Sequence, residues 1–159
     1  MRRKPNADNG SEEWGMLRKE PNFIAFLYFF NEERDYFECH EVMEELWLEH
    51  GRHPLLQGLL QVAVGLYHCR NGNGRGARKL LRQAADKLER YPADALGLEL
   101  DTLLGEVRTY LAGLAAAGDD ADAFGFYDLT IRMHDGVLEE QVRAYAARRR
   151  ENGAADAAP

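Results

Sequence analysis

The sequence predicts an all-α protein: a single-domain bundle of five or six helices, followed by a C-terminal arm whose conformation the pattern leaves open. Three observations lead there. Apolar residues recur three and four apart along most of residues 21–118, the spacing of one helix face. Residues that start and stop helices punctuate those stretches. No alternating run is long enough for a sheet system, and no internal repeat suggests a solenoid. With 159 residues, the chain can bury about two thirds of its unfolded surface in one core.

The elements follow in order. Residues 1–20 are polar and expected to be a mobile tail. Pro21 opens a short first helix whose body is Phe23 to Phe30. Asp35 and Glu38, three apart, match a capping box that starts a second helix running to about Glu49. Gly51 and Pro54 close it and open a third, Pro54 to about Arg70, apolar nearly all round as a central bundle helix should be. The segment NGNGRG at 71–76 breaks the chain, and Asn73 caps a fourth helix with the stripe Ala77, Leu80, Leu81, Ala84 and Leu88. Tyr91-Pro92 ends it. A fifth helix, about Ala93 to Ala116, carries Leu96, Leu100, Leu103, Val107, Tyr110, Leu111 and Leu114 on one face. The bundle thus occupies 21–118. Residues 119–150 form an arm packed on it, extended over Phe124 to Met133 and helical over Val137 to Arg150, and 151–159 are expected to be a disordered tail.

Charge and cysteine usage narrow the function classes. The formal charge is −7, from 27 acidic and 20 basic residues, which argues against nucleic acid as a partner because a general phosphate-binding surface needs a basic excess. No apolar stretch is long enough to span a membrane, and none follows the basic N-terminus as a secretory signal requires. Cys39 and Cys69 form no C-x-x-C pair and indicate neither a zinc knuckle nor a disulfide framework, which fits a reducing cytoplasm.

Residues 36–47, YFECHEVMEELW, hold the most informative chemistry. At about 100° per residue, His40 falls beside Trp47 and Tyr36, with Glu44 about 40° to the other side, so an ionisable pair is expected on a helix's buried face. Burying such groups without partners costs several kcal/mol, roughly. On the third helix Gln57, Gln61, Val64, His68 and Asn71 share one stripe. If that stripe turns toward the second helix, Gln61 meets Glu44 or His40 and forms a polar pocket that Trp47 and Tyr36 would wall. Two imidazoles and a carboxylate suit zinc, iron or manganese, so His40, Glu44 and His68 form a candidate ligand set. Glu41 or Glu44 would then take a proton from bound water. The bland readings are a hydrogen-bonded His40–Glu44 pair that fixes packing, a solvated Gln/His stripe, and a Glu41 that faces water.

Three segments taken together, YFECHEVMEELW, PLLQGLLQVAVGLYH and GNGRGARKLL, resemble the family catalogued as domain of unknown function 309, small all-helical proteins sometimes labelled predicted metal-dependent hydrolases. The likeness covers about residues 26–90. Its H-E-x-x-E-x-x-W falls on His40, Glu41, Glu44 and Trp47. Its L-Q-G-L-x-Q falls on Gln57, Gly58 and Gln61, and its later histidine and G-N-x-x-G-A on His68, Gly72, Asn73, Gly76 and Ala77. The resemblance implies a helical bundle with a shared polar site. Three functions remain open: a metal-dependent hydrolase, a non-catalytic module that binds a small molecule or a protein, and a purely structural cluster in a bundle that forms homo-oligomers.

Overall fold

The computed structural model describes residues 11–157. The helices are α1 (Ser11–Leu17), α2 (Pro21–Tyr28), α3 (Tyr36–Glu49), α4 (Pro54–Arg70), α5 (Gly74–Leu88), α6 (Leu100–Ala116), α7 (Ala121–Phe124) and α8 (Gly136–Ala157). A π-helical turn at Phe29–Glu33 follows α2, and a 3₁₀ turn at Ala95–Gly97 precedes α6. The second to fourth helices of the sequence reading are α3 to α5, with the expected starts. Asp35 accepts from the Glu38 amide, His53 from that of Leu55, and Asn73 from that of Gly76. Each cap satisfies one of the amides that a helix start leaves unpaired.

The helical faces meet in one core. Phe23, Phe26 and Phe30, then Tyr36 and Met43 of α3, Leu55 and Leu59 of α4, Leu81 of α5 and Tyr110 of α6 are all buried. Among the described residues no polar or charged side chain is buried. Arg70, at the end of α4, donates to the Arg34 carbonyl just before α3, while the two helices join at residues 50–53. They are therefore antiparallel.

The packing of α4 on α5 depends on missing side chains. A Cβ on Gly65 would lie 2.8 Å from Leu81 Cγ and Cδ2, and one on Gly58 would lie 3.2 Å from Leu88 and Lys87. Early α4 thus faces late α5. At the head of α5, a Cβ on Gly74 would sit 2.1 Å from the Asp119 carbonyl oxygen, a backbone atom in the α6–α7 turn. Arg78 on the next turn of α5 ion-pairs with the same Asp119 at 2.6 Å.

Three expectations, two of them for the chain ends, differ from the structure. Within the tail expected at 1–20, residues 1–10 lie outside the described residues, but Ser11–Leu17 is helical, because Trp14 and Leu17 bury against the core and Trp14 packs on Tyr91. The fifth helix does not begin at Ala93. Leu96 and Gly97 adopt positive φ, 59° and 74°, so the chain turns there and α6 starts at Leu100. Of the tail expected at 151–159, residues 158–159 lie outside the described residues and the rest continues α8 to Ala157, in keeping with its alanine content.

The start of the arm differs from the expected extended stretch, since Phe124 ends the short helix α7, capped by Asp120. From Phe126 to Met133 the arm has no helix, and Leu129 and Ile131 are buried while their neighbours are more open. Residues far earlier in the chain hold it. Asn31 exchanges two 2.8 Å hydrogen bonds with the Ile131 backbone, Arg34 donates to the Leu129 carbonyl and Thr130, and Tyr36 donates to Asp128. Tyr110 donates to the Tyr127 carbonyl, and burial pushes its phenol well above the usual range. Leu98 and Met133 make an isolated antiparallel bridge. Beyond it, α8 lies on α2, with Tyr145 against Tyr28 and Arg149 over Phe29.

Two measurements test this account. Gly74→Ala should lower unfolding stability by about 3 kcal/mol in urea titration, because its new methyl meets backbone rather than a yielding side chain. Gly58→Ala should stay near neutral, its mild crowding offset by the roughly 1 kcal/mol that alanine gains over glycine inside a helix.

Acid should loosen α8. Arg18 holds Asp135 below its ordinary 3.8, helped by the Leu138 and Val137 amides. Arg149 holds Glu33 below 4.5, helped by Tyr28. Depressed carboxyls contribute stability that is complete above those ordinary values and is lost as pH falls through the lower folded ones. Stability should therefore drop between about pH 5 and 3, and the double variant D135N/E33Q should show a shallower drop over that interval.

Candidate functional site

Helix α3 presents Tyr36, Cys39, Met43 and Leu46 to the core. Their mean direction lies about 80° from His40 at helical geometry, so the histidine sits on the edge of that face and not in its middle. The His40 and Glu44 side chains are 39% and 44% exposed. This corrects the expected buried ionisable pair. The pair itself forms: His40 Nε2 lies 2.9 Å from Glu44 Oε2, and Nδ1 lies 3.4 Å from Glu41 Oε1. Both ring nitrogens thus face carboxylates across an open helix surface, with Phe37 and Leu48 exposed on the same side.

Two residues expected to wall a pocket are placed differently. Tyr36 is fully buried, and its hydroxyl is taken by Asp128, so it belongs to the core and fastens the arm. Burial and the Asp128 carboxylate both raise its pKa. Trp47 is half-buried, with the Arg52 guanidinium 5.6 Å above its ring. Cys39, also in the core, has its thiol pushed up by burial and then by Asp35 and Glu38, as suits an inert core residue.

Helix α4 is enclosed almost all round. What reaches solvent is mainly the stripe Gln57, Gln61, Val64 and His68, bounded by Tyr67 on one side. Tyr67 packs on Phe37 of α3, with centroids 6.4 Å apart, while Gly58 and Gly65 on the other side meet α5. The stripe therefore runs between α3 and α5. Its polar members turn to α5. Gln61 Nε2 donates to Gln83 Oε1 at 2.9 Å, and His68 Nδ1 lies 3.3 Å from Asn73 Nδ2.

The proposed ligand triad is consequently divided. His40 and Glu44 are together on α3, whereas His68 pairs with the residue that caps α5. Among the described residues, no group of three or more His, Cys, Asp and Glu side chains is placed to hold a metal ion.

Asn73 and Gln83, the two partners from α5, line one open concavity of about 660 Å³, together with Arg75, Arg78, Lys79 and Arg82. The sequence reading passed over these cations. Their signal was present in the spacing i, i+3, i+4 and i+7, which places all four within about 100° of helix surface.

The family model described as "Domain of unknown function (DUF309)" matches residues 23–80. A protein of Bacillus subtilis (strain 168), "Uncharacterized protein YpuF", is 40% identical over 126 residues, which cover 76% of this chain and 69% of that relative. The chain belongs to the DUF309 family. An "Uncharacterized protein" of Aquifex aeolicus (strain VF5) is 28% identical over 80 residues, 48% of this chain and 23% of the relative, so the chain spans under a quarter of that protein. The DUF309 match runs from α2 into α5. It contains the His40–Glu44 pair, the α4 stripe and the first three cations of α5, and it ends before Arg82 and Gln83. No described helix of this DUF309 protein is long and apolar enough to cross a membrane.

The exposure of His40 sets an expected outcome. His40→Ala should change unfolding free energy by less than about 0.5 kcal/mol, because an open i, i+4 pair contributes little. Met43→Ala, less than one turn away and fully buried, should lose about 3 kcal/mol by the same urea titration.

Proposed function

We propose that the protein is a non-catalytic module that binds a small molecule in the concavity of the α4–α5 face. One observation carries this reading: the polar stripe of α4, through Gln61–Gln83 and His68–Asn73, is bonded to side chains that line that concavity. An otherwise apolar helix thus turns two of its polar residues, Gln61 and His68, to the side chains that edge that concavity. Convergent polar groups in a concave surface are what a binding site requires. Gln83, whose amide oxygen Gln61 holds, would fix the ligand's orientation, and Asn73, already committed to the α5 cap through its oxygen, keeps its amide nitrogen on the same side as His68.

The hydrolase reading is supported less well. A metal held by His40, Glu44 and His68 would need His40 to leave its two carboxylates and His68 to leave Asn73, since the donors point to different neighbours. What favours it is the H-E-x-x-E pattern and the DUF309 resemblance rather than the arrangement of the side chains.

The two readings separate in amide NMR spectra of the full chain titrated with fractions of a small-molecule extract. Binding at the α4–α5 face should move the Gly76 amide and the Gln83 side-chain signals, persist in excess chelator, and weaken at least tenfold in Gln83→Ala. Shifts centred on His40 and Glu44 that vanish with chelator would overturn the proposal in favour of metal chemistry.

A further inference from the structure

The charge order along α5 runs against its own backbone. A helix carries partial positive charge at its N-terminus, where acidic side chains are favoured. Here the first turn holds no acid, and Arg75, Arg78, Lys79 and Arg82 all fall in the first nine residues, while the far end mixes Asp86 and Glu89 with Lys87. Arg75–Lys79 and Arg78–Arg82 are like-charge pairs at i, i+4, which repel.

Only Arg78 has its charge answered. It pairs with Asp119 at 2.6 Å and joins the head of α5 to the α6–α7 turn, while the neighbouring Asp120 is committed to capping α7. Among the described residues Arg75, Lys79 and Arg82 have no carboxylate within ion-pair distance, and all three are exposed. Three unanswered cations on one helix face, in a chain of net charge −7, repel one another, and Arg75 in the first turn also opposes the dipole. They nonetheless share one concavity with the hydrogen-bonding groups of Asn73 and Gln83. A local rule broken without structural compensation marks a functional surface.

We infer that the ligand of this face is a small phosphate-bearing anion of two or three linked phosphates, held by Arg75, Lys79 and Arg82 beside Gln83. The inference rests on the ligand-binding reading above and names its chemistry. Guanidinium groups match phosphate oxygens two at a time, and a lysine adds a mobile point charge. Arg75 and Arg82 are seven residues apart, about 10 Å along the axis, which suits a short phosphate chain and not a single ion. A polynucleotide would need a longer basic track. This stripe ends at Asp86, and the rest of the chain carries an acidic excess.

The test is calorimetric titration of the full chain with sodium tripolyphosphate, with sodium sulfate as control and a nucleoside triphosphate as a second arm. Tripolyphosphate should bind saturably at one site, more tightly than sulfate, and more weakly as salt rises from about 50 to 200 mM. R75Q/R82Q should weaken it at least tenfold while its thermal midpoint stays level or rises, since the substitutions relieve repulsion. A structural role for the arginines would lower that midpoint instead. Equal binding of the nucleoside triphosphate would stop recognition at the phosphates, and tighter binding would add an organic group to the same ligand class. Absence of saturable tripolyphosphate binding, unchanged affinity in R75Q/R82Q, or an RNA oligonucleotide bound more than tenfold tighter would overturn the inference. If an uncharged compound moves Gln83 while tripolyphosphate does not, the anion is wrong and the site stands. If no compound moves it, both fall.

Discussion

The close approach of α4 and α5 governs this structure. Gly58 and Gly65 let the later helix lie against the backbone of the earlier one, where a single added methyl would overlap Leu81. That contact fixes the rotation of α4. With α5 seated on one flank and α3 on the other, only a narrow strip of α4 is left for water, and the glutamines and histidine occupy it. The side to which Gln61 and His68 turn follows from this close flank, and above all from Gly65.

Gly74 extends the same constraint to the other half of the molecule. It leaves no room for a side chain between the head of α5 and the Asp119 carbonyl, so the α6–α7 turn packs directly on the helix, and Arg78–Asp119 adds an ion pair to that contact. The concavity on α5 therefore rests on a fixed base. Rigid support matters for a surface built of long, flexible cations, since each one ordered on a ligand loses rotamer freedom.

Much of the fold was legible because its signals are local. Asp35, Asn73 and Pro54 announce helix starts whatever packs nearby, whereas the arm, held by partners some 95 residues earlier, was left open by its own pattern. Leu96 was misplaced for a reason periodicity does not contain: its spacing fits a helix, but Gly97 lets the backbone reverse there. The site was legible in membership and not in direction. His40 and Glu44 do pair, and Gln61 and His68 do share a strip, yet whether that strip turns to α3 or to α5 is decided by the glycines on its flank. The choice of His40 as the centre of its face also hid the true core direction, which Tyr36, Cys39, Met43 and Leu46 define together.

The arm is the last part of the sequence to find its place, and its anchors are among the first. Asn31, Arg34 and Tyr36 are bonded to residues 92 to 100 positions further on. During synthesis these sockets leave the ribosome long before their plugs exist. The nascent bundle must carry an open seam beside Phe30 and Tyr36 until residues 128–131 are made and close it.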